Sequence, residues 1–189
     1  MVMYWCKNKK TAGKAVMAVV VTALFLCCTP SPKERTIKRE AHFDIPAYFN
    51  AEIARLTKEN PTIDKTVIKD SLSETREIQI ADWETELSSF VSIDLNKPVY
   101  TGILEKDSTA NKIKITSSDP KIDISSVEIE YNENGVPIEF RIQRNIENSL
   151  YKTHETLRYT QNKGYSLEKH QSVLVLGEKY YHIEGVFNP

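Results

Sequence analysis

VEIEYNENGVPIEFRIQ, residues 127–143, reads as two strands joined by a tight turn. Val127, Ile129 and Tyr131 alternate with Glu128 and Glu130, and Ile138, Phe140 and Ile142 alternate with Glu139, Arg141 and Gln143. Asn132–Gly135 between them holds the turn-forming residues. A strict period of two predicts an antiparallel pair with one apolar face and one wet face. The pattern continues outward in both directions. LYKTHETLRYT (150–160), YSLEKHQSVLVL (165–176) and KYYHIEGVF (179–187) follow, with turns at Asn162-Lys163-Gly164 and Leu176-Gly177-Glu178. VYTGILEK (99–106) and KIKITS (112–117) precede. Seven strands with short links predict a curved antiparallel meander.

Upstream the period changes. Ile45, Phe49, Ile53 and Leu56 recur at steps of four, four and three, after Asp44 as N-cap and with Pro46 in the first turn. Asn60-Pro61 ends this helix. A second helix is expected over Ala81 to Asp94, with Trp83, Leu87, Phe90 and Val91 inward and Glu84, Glu86 and Ser88 outward. TIDKTVIKDSLSETREIQI (62–80) between them predicts a small hairpin turning at Asp70 to Ser73. The expected class is α+β: two N-terminal amphipathic helices, with a hairpin between them, packed on a meander of about seven strands.

The first 28 residues carry an address. Lys7, Lys9, Lys10 and Lys14 come without an acidic residue, and the apolar run AVMAVVVTALFL (15–26) ends at Cys27-Cys28. This order reads as a secretory signal, and the run is short of the ~20 apolar residues of a permanent span. All three cysteines (Cys6, Cys27, Cys28) lie here, so the folded domain is expected to hold no disulfide. Phe25, Leu26, Cys27 and Cys28 resemble the processing box of bacterial lipoproteins, in which the last residue is acylated. Cys27 is small enough to precede the cut, whereas Phe25 and Leu26 are bulkier than the strict pattern. Taking Cys27 as acceptor would put Leu26 before the cut, so the resemblance implies Cys28 as the lipid site.

In style the whole chain resembles the small envelope lipoproteins of Bacteroidota type, from FDIPAYFNAEIARL and IADWETELSSF to the closing strands. The organisation so implied is a signal peptide over 1–27, an acylated Cys28 with a tether over 28–41, and one domain over 42–189. Thr29, rather than an acidic residue, follows the acceptor, and no acid-rich tract follows it. The resemblance then implies the outer membrane, with the domain facing the periplasm.

The chain has 25 basic and 26 acidic residues; without the four leader lysines it is net acidic by about five. That argues against a nucleic-acid partner. No G-x-S-x-G elbow or Gly-rich phosphate loop occurs. His182 and Glu184 share a strand face and could meet one metal if His154 or His170 aligned with them, which is the enzyme alternative: a small hydrolase or metal-dependent enzyme. Solvated strand histidines are the commoner meaning, so no metal, cofactor or catalytic residue is assigned. Tyr151, Tyr159, Tyr165, Tyr180 and Tyr181 fall in the last three strands. They suit a partner or ligand surface and equally the packing of any sheet. The expected role is non-enzymatic binding or docking of an envelope partner or an apolar ligand.

Overall fold

The computed structural model describes residues 41–188. The leader, Cys28 and residues 29–40 lie outside the described residues.

Helix α1 (Ile45–Glu59) starts where its cap dictates. The Asp44 carboxylate accepts the Ala47 N–H at 2.9 Å, and Asn60, left-handed at φ 46°, returns its N–H to the Leu56 carbonyl. Ile45, Phe49 and Leu56 are fully buried. Strands β1 (Thr62–Lys69) and β2 (Leu72–Gln79) form the expected hairpin.

The second helix is a correction. Two single turns, α2 (Trp83–Glu86) and α3 (Ser88–Val91), meet at Leu87. Ser88 donates its hydroxyl to the Thr85 carbonyl and Ser92 to the Ser89 carbonyl. These hydroxyls compete for carbonyls that a continuous helix would use. The apolar positions Trp83, Leu87 and Phe90 are buried as their spacing required. Glu86, expected outward, points inward at the sheet.

The segment expected as the strand 99–106 is a second correction. Pro98–Tyr100 forms a 3₁₀ turn that buries Tyr100, and only β3 (Glu105–Ser108) is extended. The meander then runs through β4 (Lys112–Thr116), β5 (Ile124–Tyr131), β6 (Pro137–Glu147), β7 (Tyr151–Thr160), β8 (Gly164–Val173) and β9 (Gly177–Phe187). The expected strand 165–176 overruns, because Leu174–Leu176 form the turn ahead of Gly177.

The nine strands among the described residues make one antiparallel sheet in the order β2-β1-β9-β8-β7-β6-β5-β4-β3. The hairpin is therefore not a separate feature between helices, as expected, but the far edge of the main sheet. An isolated hairpin is marginal in water. Pairing Ile63 with Phe187 gives β1 a second neighbour and buries Ile63 completely.

The helical turns cover one face of the sheet. Phe49 stacks on Phe90 at 4.7 Å and meets Phe140 and Tyr159 edge-on or tilted at 5.1 and 5.2 Å. Trp83 packs on Tyr165 and Phe187 at about 6 Å. Gly185 makes room for this layer, since a Cβ there would lie 2.4 Å from the Tyr165 ring. The opposite face is wet: Glu128 takes Lys112 at 2.8 Å and Lys114 at 3.2 Å. Both edges are charged, with Glu74, Arg76 and Glu77 on β2 and Glu105, Lys106 and Asp107 on β3. Charge on an open edge discourages pairing with another chain.

Candidate functional site

Register fixes where each candidate side chain goes. Tyr159 stands opposite Tyr165, which stands opposite Gly185, all on the face beneath the helices. Tyr159 and Tyr165 are buried, so the two cannot belong to an exposed partner surface, and this part of the tyrosine expectation is corrected. Alternation puts Tyr180 and Tyr181 on opposite faces, so they serve no single surface either. Tyr180 lies 4.7 Å from His170 on the wet face, whereas Tyr181 lies near the Lys69 ammonium. Tyr151, half-buried, opens β7 opposite Val173.

The buried tyrosines do a different job. Tyr159 donates to Glu52 of α1, which also accepts from Arg55 at 3.0 Å. Tyr165 donates to Glu86 of α2 at 2.6 Å, and the Lys65 ammonium reaches the other Glu86 oxygen at 2.6 Å. Tyr100 donates to Asp123 at 2.8 Å, and Arg144 bridges Asp123 to Glu155, which also pairs with Lys169 at 3.3 Å. Each site joins a phenol, a carboxylate and a cation, and each ties a helical segment or loop to the sheet. A buried carboxylate needs such partners to remain charged. The sequence reading missed all three, because Glu52 and Glu86 sit at positions that look like an ordinary solvated helix face.

Their titration has a sign. Burial, then the nearby Glu52 charge, pushes Tyr48 up to about 12. Burial, then donation to a carboxylate, holds Tyr100, Tyr159 and Tyr165 well above the ordinary value of 10.0. The unfolded chain thus releases these protons first. The stabilisation is complete below pH 10 and is lost as pH rises from there toward the folded values. Tyr159 and Tyr165 should each contribute a loss of about 1 kcal/mol per pH unit above pH 10. Urea midpoints measured at pH 9, 10 and 11 should show it, and Tyr159→Phe should flatten the fall. Asp123 has the opposite sign. Burial alone would raise it, but hydrogen bonds from Arg144 and Tyr100 win and hold it below the usual carboxylate range. Its contribution is present above the unfolded value near 3.8 and is lost as pH falls through the folded one, a limb that Asp123→Asn should weaken.

The histidines share the wet face without converging. His154 stands opposite His170, and His182 stands opposite Glu168. His154 on β7 and His182 on β9 have β8 between them, a separation of roughly 10 Å at least. His154 is held by Asn145 at 2.6 Å, His170 by Glu168 at 2.9 Å, and His182 lies 3.9 Å from Glu184. Among the described residues, no group of three or more His, Cys, Asp or Glu is arranged to hold a metal. A groove of about 550 Å³ opens beside this row, lined by Asn145, His154, His170 and Ser172 and by the aliphatic Ile122, Ile124 and Ile146 among others.

The other feature is apolar and lies at the same end of the sheet. The β1–β2, β8–β9 and β6–β7 turns all project there, because each strand of the series β1, β9, β8, β7, β6 is antiparallel to the next. Leu72, Leu150, Leu174, Val175 and Leu176 on or beside these turns are between 66% and 88% exposed. The Leu174 N–H donates to the Leu150 carbonyl at 3.1 Å, which ties the β8–β9 and β6–β7 turns together, whereas Asp70 of the β1–β2 turn exchanges hydrogen bonds with the Tyr180 backbone inside β9, short of that end. The sequence signal was the run VLVL at 173–176: four aliphatics in succession break the period of two that a half-buried strand keeps. Patches of a few hundred Å² or more on this scale mark contact sites.

No family model matches the chain, no curated protein is significantly similar to it, and no solved structure matches its fold.

Proposed function

We propose that this chain is a lipid-anchored envelope protein that binds without turnover and docks through the aliphatic end of its sheet. The observation that carries the reading is the group Leu150, Leu174, Val175 and Leu176, exposed on two linked turns. Leaving such side chains in water forgoes roughly 1.5–3 kcal/mol each relative to burial, a loss that a contact recovers. The space between helices and sheet is filled by Phe49, Phe90, Phe140 and Tyr159, which favours docking at the surface over carriage of an apolar ligand inside. Anchorage is read from the leader, with Cys28 acylated and the domain held at the outer membrane on its periplasmic side.

Two experiments test the two halves. Cys28→Ala should shift the chain from the membrane fraction to the soluble one, or leave an uncut precursor; unchanged mass and partitioning would contradict anchorage. A photo-reactive phenylalanine analogue at Val175, in cells, should form adducts that the same analogue at Glu133, at the other end of the sheet, does not. Equal labelling at both positions, or none at Val175, would overturn docking through this end.

A further inference from the structure

We infer that the occupant of the aliphatic end is the lipid bilayer itself, entered by the β8–β9 turn. The inference rests on the docking reading above and names its partner.

Three observations carry it. The first is shape. Leu174, Val175 and Leu176 stand in succession on a projecting turn, with Leu150 on the turn beside it. That is a convex tip rather than a flat or concave face. A rigid protein partner would need a matching pocket, whereas the acyl region of a bilayer deforms around a wedge. The second is area. Four such side chains offer on the order of a few hundred Å², short of the ~800 Å² per partner of a stable protein–protein interface. A second copy of this chain meeting tip to tip would bury too little to hold by itself. Shallow lipid insertion has no such threshold, since its strength grows with the apolar area entered.

The third is reach. The described chain begins at the opposite end of the sheet, where Phe43 packs on Tyr131 and Phe140. Strand β9, eleven residues long, measures the distance between the ends at about 37 Å. Residues 29–41 separate the proposed acceptor from the domain and extend at most to roughly 40 Å. An anchor at Cys28 therefore lets the tip meet the same membrane.

Charge specifies the mode of contact. The end carries Lys69, Lys152 and Lys179 against Asp70, Glu147 and Glu178, and two of these lysines are paired: Lys152 with Glu147 at 2.7 Å and Lys179 with Asp70 at 3.7 Å. The end is neutral, so insertion is driven by apolar burial and not by attraction to anionic head groups. Contact with the bilayer is expected to survive added salt and to need no anionic lipid.

The test uses the full chain carrying Cys28→Ala, which removes the covalent anchor. Val175→Trp reports on the tip, and Val186→Trp, on an exposed residue near the other end, is the reference. The native Trp5 and Trp83 and the leader are common to both. With vesicles of zwitterionic phosphatidylcholine brominated in its acyl chains, emission from the Val175→Trp chain should be quenched at least twofold more than from the Val186→Trp chain. Adding Leu174→Ser and Leu176→Ser should abolish the difference while leaving the melting temperature unchanged, because both side chains are exposed. Equal quenching at the two positions would overturn the inference, as would quenching that appears only with anionic lipid. If the cellular adduct at Val175 is a protein and the vesicles do not quench, lipid insertion falls while docking stands. If there is neither adduct nor quenching, both fall.

Discussion

Phe90→Ala should lower the unfolding free energy by about 3–5 kcal/mol, measured as a shift in the urea midpoint with unchanged slope. Phe90 is almost wholly buried, stacked on Phe49 and edge-on to Tyr159 at 6.2 Å. The cost sits at the upper end of the range because α3 is a single turn. An isolated helical turn has no stability of its own. Its position depends on the ring it buries, so truncation both opens a cavity and releases the segment. Trp83→Ala should behave in the same way for α2, where the indole packs on Tyr165 and Phe187. A variant of either kind that melts at the parental temperature would show that these turns do not cover the sheet.

Glu52→Ala should cost about 1–3 kcal/mol, although it removes a charged residue from a helix. Glu52 is 5% exposed and receives both the Tyr159 phenol and the Arg55 guanidinium. Removing it leaves a buried hydroxyl without an acceptor, while Arg55 keeps Glu59 as its remaining counter-charge. Tyr159→Phe alone should cost only about 1–2 kcal/mol, since Arg55 still neutralises Glu52. The double variant Glu52→Leu with Tyr159→Phe should be less destabilised than the sum of the single changes by about 1–3 kcal/mol. Strict additivity in that cycle would mean that the two side chains do not act as a unit.

The parts of the fold that read directly from the sequence are those in which local chemistry and burial agree. The α1 cap at Asp44, its stop at Asn60 and the alternation around Asn132–Gly135 each needed no distant partner. The errors came where a distant partner decides. Glu86 has the spacing of an outward residue and turns inward only because Lys65 and Tyr165, from two other strands, await it. Ser88 and Ser92 break the second helix through hydroxyl-to-carbonyl bonds that a hydrophobic stripe does not reveal. Of the candidate site, the tyrosines were visible but not their depth, since strand alternation gives a face and not what covers it. The aliphatic end was legible only in the lost alternation of VLVL; that Leu150 joins it follows from a strand pairing that no short segment encodes.

That strand order also imposes a schedule. β1 is among the first parts of the domain to be made, yet its second neighbour is β9, with Ile63 opposite Phe187. The hairpin must wait, one edge bare, until almost the whole chain has emerged. Loop closure across so long an intervening segment is slow. The same delay gives chaperones and proteases their longest access to β1. A chain released before β9 is complete would present the Ile63 edge to whatever is nearby, and quality control would meet it there first.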